Sequence, residues 1–181
     1  MCDKLTLHLL FKMKSFILAL LSFGLVTPVG AYENTVGGHI PLAKAVSEVS
    51  SFQVNTLRCF QGTASGYYVL STGTVVVCQD NARKVGEMAE WTPNDLDTLR
   101  HEAHHLLQDC MLGGIGDRQS RLFFDSLTPS LEALGPERVA AIRESYEGVS
   151  PKIMRHEIEA FAVATYVSPD HIASGIRKYC S

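Results

Sequence analysis

Two short apolar runs, separated by a turn sequence, lie near the middle of the chain. Residues 67–70 read Tyr-Tyr-Val-Leu and residues 74–78 read Thr-Val-Val-Val-Cys, with Ser-Thr-Gly between them. Tyrosine, threonine and valine favour β-strands, and glycine readily adopts the positive φ that a tight turn requires. The pattern therefore predicts a β-hairpin over residues 67–78.

Downstream of the hairpin, the apolar residues take a helical spacing. Thr92, Pro93 and Asp95 form a helix start, and the glycines at 113–114 mark the end of this helix. The expected fold is therefore α+β, a small, mostly helical domain with a short β-hairpin or sheet packed beside this helix. Further helices are predicted over residues 42–49, 120–127, 136–146, 151–165 and 169–179.

The N-terminal region has the pattern of an export signal. An uncharged apolar run over residues 15–26 follows two lysines, and residues 29–31 are small enough for a cleavage site. The run is too short to span a hydrocarbon core about 30 Å thick as a helix, so we expect no stable membrane anchor after cleavage. We predict a signal peptide over residues 1–31, with Met13 as an alternative start.

The rest of the chain, residues 32–181, is expected to form one domain. A formal net charge of −3 lacks the basic excess typical of nucleic-acid-binding proteins, so no nucleic-acid partner is expected. Four of the five cysteines follow the predicted signal, and an even number in an exported protein indicates two disulfides. We favour pairing Cys59 with Cys78 across the hairpin and Cys110 with Cys180 between two helix ends. Secreted or periplasmic localisation follows from this interpretation.

The helix that starts with the capping sequence carries a metal-binding pattern, His-Glu-Ala-His-His over residues 101–105. His101 and His105 are four residues apart, so both imidazoles lie on one helical face and can bind one metal ion. Glu102 is offset enough to act as a general base on an activated water. The apolar residues of this helix lie on the opposite face, so we predict that the histidine pair faces a cleft or a covering segment.

A zinc site needs a third protein ligand, and the predicted helix over residues 151–165 supplies two candidates. Helical spacing places Glu157 inside an apolar stripe and Glu159 on the polar side, among basic residues. A carboxylate within an apolar stripe is costly unless it is paired or binds a metal, whereas solvent alone explains Glu159. We therefore predict Glu157 as the ligand and a solvated position for Glu159. Asp117, close behind the first helix, is the alternative ligand.

The His-Glu-x-x-His helix and the later Glu-x-Glu-Ala sequence together resemble the zincin metallopeptidases of the gluzincin type. The resemblance covers about residues 70–164 and implies a small zincin-like domain. In gluzincins, the first glutamate of Glu-x-x-Ala is the third ligand, which corresponds here to Glu157 and Ala160. Many of those families carry Asp or Asn four residues after this glutamate to orient a ligand histidine. That position is Phe161 here, so the orienting group must come from elsewhere.

The resemblance implies a secreted zinc-dependent metallopeptidase that hydrolyses peptide bonds in a peptide or protein substrate. Zinc would be the cofactor, His101, His105 and Glu157 its ligands, and Glu102 the general base. Stabilising the transition state usually needs a further donor. By residue type the candidates are Tyr146, His156, Tyr166 and His171.

The alternative is a catalytically inactive, disulfide-stabilised secreted binding protein that retains a zincin-like helix. Glu102 argues against it, because a metal site needs this glutamate for catalysis but not for holding the metal.

Overall fold

A computed structural model of the chain describes residues 34–116 and 120–180. The predicted signal peptide, the alternative start at Met13 and the alternative ligand Asp117 lie outside the described residues.

The fold is α+β and mostly helical, as predicted, with a small three-stranded sheet. None of the helices in the described part of the chain combines the length and apolarity needed to cross a bilayer. The elements are α1 (Val36–Val49), β1 (Phe52–Val54), a 3-10 turn (Leu57–Phe60), β2 (Gly66–Val69), β3 (Thr74–Val77), α2 (Pro93–Cys110), α3 (Thr128–Ser145), α4 (Pro151–Tyr166) and α5 (Pro169–Tyr179).

The predicted hairpin is confirmed as β2 and β3, which pair antiparallel with Tyr67 opposite Val76. Gly73 turns the chain between them with a φ of 65°. Strand β1 was not predicted, and it pairs parallel to β3 with Phe52 opposite Val75. The strand order is β1-β3-β2, so β3 is central and its three valines are buried.

Helix α2 begins as the sequence predicts and runs through the centre of the molecule. The Thr92 hydroxyl accepts a hydrogen bond from the backbone N–H of Asp95, and the Asp95 carboxylate accepts one from the N–H of Thr92. This reciprocal cap satisfies two amides that a helix start otherwise leaves unpaired. The helix ends at Cys110, three residues before Gly113. It packs against β2, β3, α1, α4 and α5, so most of its circumference is buried.

The structure divides the apolar core into two clusters. The larger one joins α1, β3, α2 and α5, while the smaller one joins α3 to the middle of α4. Helix α3 contains a break at Gly135, where φ is 73°, followed by Pro136. The prediction over residues 136–146 therefore found the second half of α3 and missed the first.

Helices α4 and α5 start at the predicted residues, 151 and 169, and the hydroxyls of Ser150 and Ser168 accept hydrogen bonds from the backbone N–H of the third residue of each helix. The predicted helix over residues 120–127 is wrong, because this stretch is a non-helical segment. The backbone N–H groups of Phe123 and Phe124 donate to the carboxylate of Glu159, at 2.9 Å each. The Glu159 carboxylate thus accepts the hydrogen bonds that backbone carbonyl groups would accept in a helix.

The described residues contain two disulfides, and both pairings that the sequence favoured are confirmed. Cys59 in the 3-10 turn bonds to Cys78 just after β3, and Cys110 at the end of α2 bonds to Cys180 just after α5. Two disulfides in a chain of this size indicate an extracellular or otherwise oxidising environment.

Candidate metal centre

Three side chains predicted to bind zinc meet between α2 and α4. His101 and His105 lie one helical turn apart on α2, and Glu157 reaches them from α4. The two Nε2 atoms are 3.1 Å apart, and those of His101 and His105 lie 3.2 Å and 3.5 Å from the Glu157 carboxylate. One ligand atom from each residue lies within 4.8 Å of the others. The covering segment predicted for the histidine pair is thus helix α4.

The three side chains are nearly enclosed, at 11–14% exposed. Burial alone would raise the pKa of the Glu157 carboxyl, but the charges and hydrogen bonds of His105 and His101 hold that pKa well below its usual range. Burial alone would lower the pKa of His105, but the carboxylate of Glu157 outweighs it and raises that pKa to about 9. In the metal-free protein, the Glu157 carboxylate therefore compensates the charge of the protonated His105 imidazole.

The donor set fits a zinc ion. Two imidazole nitrogens and one carboxylate oxygen are typical of catalytic zinc sites, which keep a fourth position for water or substrate. The Nδ1 of His105 lies 2.8 Å from Oε1 of Gln108, which leaves Nε2 directed at Glu157 and His101. Histidines that bind a metal through one ring nitrogen usually have such a hydrogen-bond partner on the other ring nitrogen.

Glu102 lies beside this cluster, on the side of the sheet, and is 7% exposed. Burial raises the pKa of its carboxyl, while the charges of His101 and His105 act in the opposite direction. The backbone N–H of Tyr68 on strand β2 donates a hydrogen bond to this carboxylate. Gly66, on the same strand, makes the close approach possible, because a Cβ there would lie 2.4 Å from Cγ2 of Thr98 and 3.1 Å from Cγ of Glu102.

Of the four candidate donors named from residue type, Tyr146 lies at the site. Its hydroxyl donates a hydrogen bond to Glu157, and burial, followed by the charges of Glu157 and Glu102, raises its pKa. Tyr166 is 56% exposed. Nδ1 of His156 bonds to the backbone carbonyl oxygen of Lys152, and Nδ1 of His171 bonds to the hydroxyl of Ser168, each one helical turn or less away.

Phe161 occupies the position where the resemblance would place a residue that orients a ligand histidine. Its ring packs edge-on against His101 with the centroids 4.5 Å apart, and lies 6.1 Å from the ring of Tyr146. The contact holds the imidazole of His101 by packing, without a hydrogen bond from this position.

The prediction of a solvated Glu159 is wrong. Its side chain is fully buried, and its carboxylate accepts hydrogen bonds from His104, Gln108 and two backbone N–H groups. Helical spacing identified the polar side of α4 correctly, but the segment over residues 120–124 covers that side. A buried carboxylate surrounded by donors carries no signature in local sequence spacing, because its partners lie on α2 and on this segment.

Sequence reasoning also missed Gln108, which is 1% exposed and joins His105 to Glu159. Its position three residues after His105 was the available signal, since residues three apart on a helix are neighbours.

The candidate site lies within a stretch of the chain that matches a known family. A family model described as a domain of unknown function, DUF8637, matches residues 41–181. Comparisons with curated proteins and with solved structures find no match. The chain therefore belongs to the DUF8637 family of domains of unknown function.

Proposed function

We propose that the protein is a zinc-dependent metallopeptidase that acts on a peptide or protein substrate outside the cytoplasm. The observation that carries this proposal is the convergence of His101, His105 and Glu157 on one point, with the buried carboxylate of Glu102 beside them. Nitrogen and oxygen ligands for a zinc ion, with a further carboxylate that can act as a base, are the groups that metal-assisted hydrolysis uses.

Each residue has a distinct role in this proposal. Zinc, when bound, supplies Lewis acidity that activates a water molecule and polarises a carbonyl group. Glu102 takes the proton from the water at its carboxylate and returns it to the leaving amine, and its raised pKa suits a group that must both accept and donate a proton. The N–H of Tyr68 holds this carboxylate in place, while the hydroxyl of Tyr146 fixes Glu157.

The export of the protein is part of the same proposal. The two disulfides support an oxidising compartment, and residues 1–31 have the pattern of a signal peptide. Protein recovered from its native compartment is expected to start at or near Tyr32, which N-terminal sequencing checks.

The test combines metal analysis with a hydrolysis assay on the purified protein and on the variant Glu102→Gln. We expect about one zinc ion per chain in both, and cleavage of unfolded protein or mixed peptides by the wild type alone. Glu137→Gln, the same acidic-to-amide change at an exposed position on α3, is the matched control and should retain both properties.

Three results would contradict the proposal in different ways. Wild-type protein with less than about a tenth of an equivalent of zinc after supplementation would remove the metal site. Unchanged turnover in Glu102→Gln would mean that the general base is another residue. Zinc binding without hydrolysis of any peptide or protein substrate would favour the alternative, an inactive secreted binding protein.

A further inference from the structure

Gln108 connects the candidate metal centre to a second buried cluster between α2 and α4. Its Oε1 lies 2.8 Å from Nδ1 of His105. Its Nε2 lies 2.8 Å from the carboxylate of Glu159 and 3.2 Å from the backbone carbonyl oxygen of His156. The amide therefore has a partner at each end, one of which is a predicted zinc ligand.

The partners at one end decide how the amide is oriented. A glutamine amide can be turned over, which exchanges its oxygen with its nitrogen. The backbone carbonyl oxygen of His156 can only accept hydrogen bonds, and both oxygens of Glu159 already accept from the backbone N–H groups of Phe123 and Phe124. The NH2 group of Gln108 must therefore face these acceptors, because its carbonyl oxygen would be repelled there.

The orientation of Gln108 in turn determines which nitrogen of His105 carries a proton. With the NH2 group directed at Glu159, the carbonyl oxygen of Gln108 faces Nδ1 of His105. This nitrogen must then carry a hydrogen, since two acceptors cannot share a hydrogen bond. In the neutral imidazole, the lone pair is left on Nε2, which is the nitrogen that points at His101 and Glu157.

We propose that Glu159 and Gln108 are positioning residues of the metal centre. Glu159 fixes the amide of Gln108, and Gln108 fixes the tautomer and the ring orientation of His105, so that Nε2 is the ligand atom. The inference rests on the proposed function, because His105 is a zinc ligand only there. Neither residue is expected to touch the metal or the substrate.

Glu159 also has a structural role, so the variants must separate the two effects. Gln108→Met removes the bridge to His105 while Glu159 keeps its bonds to His104, Phe123 and Phe124. In Glu159→Gln, the amide oxygen can occupy the position of Oε2, on which three donors converge, so Gln108 keeps its acceptor. Gln53→Met makes the same change as Gln108→Met at an exposed position on β1 and is the matched control.

The first measurement is the tautomer of His105 in zinc-free protein. Protein labelled with ¹⁵N-histidine is studied by NMR at an alkaline pH where the imidazoles are neutral. The signal of His105 is assigned as the one that is missing from the variant His105→Gln. We expect the Nδ1–H tautomer in the wild type, in Glu159→Gln and in Gln53→Met. In Gln108→Met, the Nε2–H tautomer should gain population, which a loss of stability alone would not cause.

The second measurement is zinc affinity, determined by competition with a chromophoric chelator. Gln108→Met is expected to bind zinc about 10–100-fold more weakly than the wild type, the usual effect of removing a group that orients a ligand. Glu159→Gln should stay much closer to the wild type. Gln53→Met should be unchanged.

The outcomes distinguish this inference from the proposed function. If Gln108→Met keeps the wild-type tautomer and its zinc affinity stays within about twofold, the positioning role is overturned. A wild-type chain that binds no zinc overturns the proposed function, and the tautomer shift in Gln108→Met then decides by itself whether Gln108 orients His105.

Discussion

Two glutamates that stand two positions apart on α4 have different partners. Glu157 faces the histidine pair and is the carboxylate that a metal ion would use. Glu159 is fully buried among four hydrogen-bond donors, away from that pair. Substitution of Glu157 should therefore act mainly on metal binding, and substitution of Glu159 mainly on stability.

Glu157→Ala is expected to lose zinc and to remain folded, because it removes one of three protein ligands. Glu159→Ala is expected to lower the free energy of unfolding by about 3–5 kcal/mol, since it leaves several buried donors without their acceptor. Zinc content and denaturant unfolding measure the two effects. A Glu159→Ala variant as stable as the wild type would contradict the burial described for this residue.

Zinc affinity should increase with pH. The folded-state pKa of His105 is raised to about 9, because the carboxylate of Glu157 more than offsets the effect of burial. The protonated imidazole cannot bind a metal, so zinc must displace this proton at any pH below that value. Affinity measured by chelator competition should rise by about tenfold per pH unit from neutral pH and level off near the pKa. A flat profile over this range would show that zinc binding displaces no proton from His105.

Among individual residues, the sequence predicted those whose role follows from their spacing within their own helix. The spacing of His101 and His105 and the place of Glu157 in an apolar stripe are local properties, and the structure brings these three side chains together. The burial of Glu159 depends on a segment 35 residues earlier in the chain, whose backbone donates to it. No local pattern contains that information.

Helix α2 and strand β2 approach each other closely at Gly66. A Cβ at this position would lie 2.7 Å from the backbone oxygen of Val76 and 2.4 Å from Cγ2 of Thr98. Backbone and a β-branched side chain cannot easily move away, so contact between the two elements requires glycine here.

Gly66→Ala is therefore expected to destabilise the fold by about 1–3 kcal/mol, the usual cost of overpacking. It should also lower any hydrolytic activity, because β2 donates the Tyr68 hydrogen bond that holds Glu102. Gly62→Ala is the matched control, since a Cβ there meets only the carbonyl oxygen of Arg58 at 3.8 Å. Equal stability of the two variants in thermal unfolding would refute the close approach.

Elements with strong start signals could be predicted, and those defined by tertiary contacts could not. Helices α2, α4 and α5 each have a serine or threonine cap followed by proline, and their starts are confirmed. Strand β1 has three residues and owes its existence to pairing with β3, so no periodicity marked it. The segment over residues 120–127 has a helical composition but bonds to Glu159 instead.

The two disulfides close loops of very different length. Cys59 and Cys78 are separated by 19 residues, and Cys110 and Cys180 by 70. The entropy that a cross-link removes from the unfolded chain grows with the length of the loop. The longer link also joins the end of α2 to the end of α5, on the larger apolar cluster.

Replacing Cys110 and Cys180 by alanine should therefore cost about 4 kcal/mol, and the same change at Cys59 and Cys78 about 3 kcal/mol. Denaturant unfolding of the two double variants against the wild type measures the difference. A greater loss from the shorter link would show that native packing around the hairpin, and not the loop length, decides the effect.

The division of the apolar core has a consequence for how the molecule opens. Helix α4 belongs to both clusters, with Val163 in the larger and Ile158 and Ala162 in the smaller one beside α3. Transient detachment of α3 with the first turns of α4 would carry Glu157 and Tyr146 away from the histidines of α2 and leave the larger cluster intact. An ion held by both α2 and α4 binds only the closed form and suppresses this detachment. Amide hydrogen exchange in α3 should thus slow on adding zinc, while exchange in α5 stays the same. Exchange in α3 would then report zinc binding at a site whose ligands all lie on other helices.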